Sequence, residues 1–215
     1  MKRSGKWLLA LVLVLCLCLC LTPGAGAEER GIVDSGEYGD NAIWTFYEDG
    51  ELVIEGTGVM DDYEGYNSFW GEKRTKITKI TIKEGITAIG DFAFTDCEAV
   101  ESIKLPESTT LIGSCAFKGC NNISSIVIPN GVLSIGKGAF QSCINLVEIE
   151  IPDSVTTIGS GCFFGCSKLQ SIVLPQALDT IDEDMFVGCT SLDSITIPHG
   201  VTSIGTFAFW GCSFK

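Results

Sequence analysis

The sequence predicts a repeat solenoid with one short parallel β-strand per 23-residue coil, closed at its N-terminal end by a β-rich cap. Three observations carry this. Cys97, Cys120, Cys143, Cys166, Cys189 and Cys212 stand 23 residues apart. Phe94, Phe117, Phe140, Phe163, Phe186 and Phe209 keep the same interval, as do Ile89, Ile112, Ile135, Ile158, Ile181 and Ile204. Between successive cysteines runs one stretch of alternating apolar residues, such as Glu148-Ile149-Glu150-Ile151, which has the period of a strand.

The chain opens on a segment expected to be removed. Lys2, Arg3 and Lys6 precede an apolar run from Trp7 to Leu21, and Ala25-x-Ala27 follows. A basic start, a short apolar core and small residues at the end describe a secretory signal peptide over residues 1–27, cut after Ala27. The run is too short for a comfortable membrane span, and no later stretch could supply one. The mature chain from Glu28 loses three of the 14 basic residues and none of the 27 acidic ones, so its formal charge moves from −13 to −16. That charge excludes a nucleic-acid binder, which needs clustered Lys and Arg against phosphate. Export places the product outside the cell or at its surface.

Residues 28–76 do not repeat and form the expected cap. Ile43-Trp44-Thr45-Phe46-Tyr47 and Leu52-Val53-Ile54 flank Glu48-Asp49-Gly50, and Asp-Gly between apolar runs signals a β-hairpin. A solenoid needs such an atypical end unit, because its first coil would otherwise expose its core.

Residues 77–215 form about six coils, the last incomplete. After Leu146, the strand Glu148–Ile151 ends at Pro152-Asp153-Ser154, since proline lacks the ladder donor and favours a turn. Val155 and Ile158 point inward again, and Gly159 permits a turn that a side chain would obstruct. One coil cannot bury its own apolar face, but stacked coils bury a continuous core at about 4.8 Å per step. Some coils deviate: Thr109 stands at the inward valine position, Asp182 at the glycine and Met185 at the alanine.

The string Cys-x-x-Leu-x-x-Ile-x-Ile-Pro-x-x-Val-x-x-Ile-Gly-x-x-Ala-Phe-x-x-Cys, carried by Cys120–Cys143 and its neighbours, resembles the BspA-like leucine-rich repeat family of bacterial surface proteins. The fold class is then a solenoid of leucine-rich-repeat type. The resemblance covers 139 of the 188 mature residues. The front segment is similar to the leader found before these repeats, although a cysteine commonly stands there where this chain has Tyr38. What the resemblance implies is adhesion or host interaction through protein or matrix contacts.

Little here points to chemistry. Three of the 11 cysteines lie in the signal segment and six form the structural ladder at one inward position of successive coils, where a buried thiol acts as a small hydrophobe. Zinc needs a tetrahedral cluster rather than a line, and parallel side chains suit disulfides poorly. Cys115 and Cys162 lie off the ladder, and Cys115 occupies the more surface-leaning place. Asp182-Glu183-Asp184 and Asp61-Asp62-x-Glu64 lack the spaced oxygen ligands of a calcium loop. The single histidine, His199, sits in a turn and carries no catalytic triad. No cofactor, metal or catalytic residue is expected.

Surfaces remain. The outward strand positions are Thr81, Lys104, Val127, Glu150, Val173 and Thr196, beside Lys79, Ser102, Ser125, Glu148, Ser171 and Ser194. A second row after each repeated phenylalanine turns apolar toward its end at Phe164, Val187 and Trp210. The candidate binding surface is accordingly Lys104, Val127, Glu150 and Val173 on the strands, with Phe164, Val187 and Trp210 on the second row. The expected function is a secreted or cell-surface, non-enzymatic protein that contacts an extracellular protein, matrix or glycan. The alternative is a structural spacer or assembly module, self-associating at the open C-terminal edge, where an uncovered apolar end is an association hazard.

Overall fold

A computed structural model describes residues 30–39, 41–63 and 69–214. The expected signal segment lies outside the described residues, as does Glu64. Gly31–Lys215 form one compact unit.

The cap contributes β1 (Ile32–Tyr38), β2 (Ala42–Tyr47), β3 (Glu51–Gly56) and β4 (Gly58–Val59). The first three run antiparallel, with Glu48-Asp49-Gly50 in the β2–β3 turn. From β3 onward the stacking is parallel. β3 pairs with β5 (Lys79–Ile82), which pairs with β7 (Ser102–Lys104), while β4 pairs with β6 (Ile86–Ile89). The β3–β4 segment therefore copies the backbone path of a coil, and the antiparallel β1–β2 pair covers it. A short 3-10 helix, Gly71–Thr75, leads into the first full coil.

Each later coil adds a strand before the proline turn: β9 (Ser125–Val127), β11 (Glu148–Glu150) and β13 (Ser171–Val173) form a three-stranded parallel sheet beside β7. A second, two-residue strand follows each turn: β8 (Leu111–Ile112), β10 (Ser134–Ile135), β12 (Thr157–Ile158), β14 (Thr180–Ile181) and β15 (Ser203–Ile204). This second ladder adds to the one strand per coil read from the sequence. In the sixth coil only the second strand forms.

The core is a set of columns. The rings of Trp70, Phe94, Phe117, Phe140, Phe163, Phe186 and Phe209 stack face to face, with centroids 5.5–5.9 Å apart and planes within 2–16°. Such offset stacks favour aromatic pairs beyond simple burial. Trp70 begins the column and packs among Tyr38, Trp44 and Phe69, while its Nε1–H donates to the Ala93 carbonyl at 2.8 Å. Tyr38 is thus a buried member of the cap's aromatic cluster. Gly136 and Gly159 sit where a Cβ would lie 2.5 Å from the backbone nitrogen of the preceding coil, Ser114 and Lys137 respectively. Here glycine sets the coil-to-coil approach.

Two positions in every coil adopt positive φ, one two residues before the stacked ring and one two residues after it. Glycine holds the first in only two coils. Phe92, Cys115, Asp184 and Phe207 hold it in the others, at φ 53–58°. The turns lock to one another instead, through bonds such as Phe117 N–H to Ala139 O at 2.9 Å and Phe140 N–H to Cys162 O at 3.0 Å.

Thr109 is fully buried and its hydroxyl has no hydrogen-bond partner. Valine occupies this inward position in neighbouring coils, at Val132 and Val155. An unpaired buried hydroxyl costs about 1–3 kcal/mol. Thr109→Val is therefore expected to raise the unfolding free energy by about 1 kcal/mol, read as a higher urea midpoint at unchanged slope.

Candidate functional site

The outward residues of the short strands form the candidate site. On β9, β11 and β13 the middle isoleucine points into the core and its two neighbours face out, the pattern a pleated strand imposes. The register places Glu150 opposite both Val127 and Val173, and Glu148 opposite both Ser125 and Ser171. Val127 is 81% exposed and Val173 59%, large values for β-branched apolar residues. Together with Asn130, Pro152 and Asp153 from the following turns, these residues line a groove of about 740 Å³. No cationic side chain lines it. Lys104 lies one strand further toward the N-terminus, on β7.

Several sequence-derived positions are placed differently. Thr81 is buried rather than outward, because Glu51 of the cap reaches over it and accepts its hydroxyl hydrogen bond, with Lys79 paired to the same carboxylate at 3.2 Å. Val187 is only 6% exposed, whereas Phe164 is 38% and Trp210 68% exposed. The second row is therefore not a continuous apolar stripe: a small valine lies between larger aromatics on the adjacent coils. Trp210 joins a different patch, with Ile204 and Phe207 of the sixth coil, which are 55% and 62% exposed. His199 is exposed in its turn. Asn130 and Asp153 were not singled out by sequence reasoning. Their signal is the residue after the repeated proline, which places a polar side chain at the groove's rim.

The ladder cysteines do more than fill space. The thiols of Cys120, Cys143, Cys166, Cys189 and Cys212 each donate to the carbonyl of the phenylalanine 26 residues earlier, at 3.2–3.5 Å. Sulfur fits this place because it is apolar enough for the core and still a weak donor. Burial pushes the Cys97 and Cys162 thiols up to about 12, and the half-buried Cys115 thiol is also raised by burial, so none is activated as a nucleophile. All eight cysteines among the described residues are free thiols. Denatured, unreduced mature protein is therefore expected to titrate close to eight thiols; finding three or four disulfides would overturn the ladder. The raised thiols also set a pH direction. Their stabilising effect is complete below the unfolded thiol range, about 8.5. It is lost as pH rises toward 12, where folded thiols ionise.

Among the described residues no group of His, Cys, Asp and Glu side chains could hold a metal ion, and no helix is long and apolar enough to cross a membrane.

The comparisons with known proteins agree with this architecture. A family model described as a BspA type leucine rich repeat region matches six copies, over residues 65–132 and 110–215. Among solved structures, a leucine rich repeat protein of T. pallidum is 26% identical with a TM-score of 0.68, the alignment covering 79% of this chain and 86% of that one. A leucine-rich repeat protein from Bacteroides ovatus is 27% identical with a TM-score of 0.59, covering 82% of this chain and 57% of that one. No curated protein matches.

Proposed function

Because the chain belongs to the BspA-type leucine-rich-repeat family, we propose that it is a secreted or cell-surface protein without enzymatic activity that makes protein–protein or adhesion-type contacts through its solenoid. Members of this family are typically surface-associated and protein-interacting. The observation that carries the reading is the outward face of β9, β11 and β13, where two exposed valines flank unpaired glutamates along a groove. Exposed apolar residues on a regular, repeated face mark an interaction surface, because nothing in the fold itself requires them there. The N-terminal signal pattern supports export, and the amino terminus of the exported protein is expected at Glu28.

The test is binding of the purified exported protein to arrays of extracellular matrix proteins, host-cell surfaces and glycans. The reading requires at least one saturable interaction weakened by Val127→Asp, which changes only an exposed side chain. An absence of saturable binding on all three arrays would sink it.

A second reading, self-association, is favoured by the sixth coil. Ile204, Phe207 and Trp210 are exposed, and Ile195, Ile197 and Val201 are only partly buried, whereas Ile181, Ile172, Leu174 and Leu178, one coil before Ile204, Ile195, Ile197 and Val201, are buried. Light scattering separates the two. A mass that doubles with concentration and returns to monomer in Ile204→Asp supports assembly, and a strict monomer opposes it.

A further inference from the structure

The groove on β9, β11 and β13 has a chemistry that narrows its partner. Glu148 and Glu150 are two residues apart on one strand and face the same side, about 6.6 Å apart along the chain. Neither carboxylate has a hydrogen bond or ion pair with the described residues. By contrast, the nearby Asp153 carboxylate already accepts the Gln176 backbone N–H at 2.9 Å. Val127 and Val173 flank Glu150 one strand step to either side. The lining holds no positive side chain, so the two carboxylates face the groove unneutralised. An aliphatic floor on both sides of an uncompensated pair of negative charges matches one class of side chain: a long apolar stem ending in a cation. The mature chain's net charge of −16 adds a long-range field of the same sign.

Building on the contact-face reading, we propose that this groove takes an extended polypeptide segment by a lysine or arginine, whose stem rests on Val127 and Val173 and whose charged head lies between Glu148 and Glu150. The span from Val127 to Val173, two strand steps of about 4.8 Å, is matched by about three residues of extended chain. In an extended segment the immediate neighbours of the basic residue point away from the groove, so its own stem meets the valines. Lys104, one strand away, disfavours a second basic residue on that side and fits an acidic one.

The experiment uses the purified full-length exported protein and labelled ten-residue peptides of alternating valine and threonine. One carries a central arginine and the other a central glutamine. The proposal predicts at least tenfold tighter binding of the arginine peptide, weakening as salt rises because both carboxylates are exposed. In the Glu148→Gln, Glu150→Gln double variant that preference falls to within about twofold. In Glu183→Gln, Asp184→Asn, which removes the same charge from the turn side, the preference persists. Circular dichroism confirms the fold of each variant. Equal weakening in both double variants would show diffuse attraction and overturn the proposal, as would no preference for arginine, or spermidine competing as well as the peptide. If the peptides fail while Val127→Asp still abolishes array binding, the basic segment is wrong and the contact face stands. If Val127→Asp leaves array binding unchanged, the contact face itself fails.

Discussion

Truncating Phe140 to alanine is expected to lower the unfolding free energy by about 3–5 kcal/mol, the range for removing a fully buried phenylalanine. Phe140 sits at the middle of the ring column, 5.7 Å from Phe117 and 5.8 Å from Phe163, and all three are completely buried. The rigid stack leaves its neighbours little freedom to close the void, because the backbone on each side is fixed by coil-to-coil hydrogen bonds at 2.9 and 3.0 Å. Each lost stacking contact adds about 0.5–1.5 kcal/mol beyond burial. In a molecule whose coils touch only their neighbours, this damage divides the array. Amide exchange should quicken on both sides, in β9 and β10 and in β11 and β12. A loss below about 1.5 kcal/mol would show that the column contributes less than its geometry implies.

Trp70→Ala is the second large effect and has a different signature. Trp70 is 2% exposed, touches Tyr38, Trp44 and Phe69 in the cap, and stacks on Phe94 of the first coil at 5.9 Å. Its removal costs about 3–5 kcal/mol and leaves the Ala93 carbonyl without its indole donor. The consequence should be local. Exchange in β1, β2 and β3 accelerates, while β11 and β13, several coils away, keep their protection. Uniform loss of protection along the molecule would mean that the cap and the solenoid unfold as one unit rather than as a capped array. Glu51→Gln gives a milder form of the same undocking, since Glu51 holds Lys79 and Thr81 from across the β3–β5 junction.

Much of this architecture is legible in the sequence because a solenoid writes its core as a period. The strand before each proline shows as alternation, and the inward isoleucines, stacked phenylalanines and ladder cysteines each recur at 23 residues. The second strands are not legible in the same way. Two residues are too few to display a period, and their ladder exists only between coils. The first positive-φ position is hidden for another reason: Phe92, Cys115, Asp184 and Phe207 hold it, so no glycine marks it. Thr81 looked outward by strand alternation and is covered by Glu51, a contact 30 residues away in sequence. Val187 is outward by its row in the sequence but is only 6% exposed in the structure. In the candidate site, Val127, Glu150 and Val173 follow directly from outward strand positions, but their union with Asn130 and Asp153 into one groove depends on the coil stacking.

The most direct test of the account is a comparison of Val127→Asp, Val173→Asp with Trp210→Ala in the same saturable binding assay, with the unfolding midpoint of each variant measured alongside. The account predicts that the double valine variant keeps its midpoint and loses binding at least tenfold, while Trp210→Ala binds as the unaltered protein does. Full binding by the double valine variant, or loss confined to Trp210→Ala, would contradict the assignment of the function to the outer face of β9, β11 and β13.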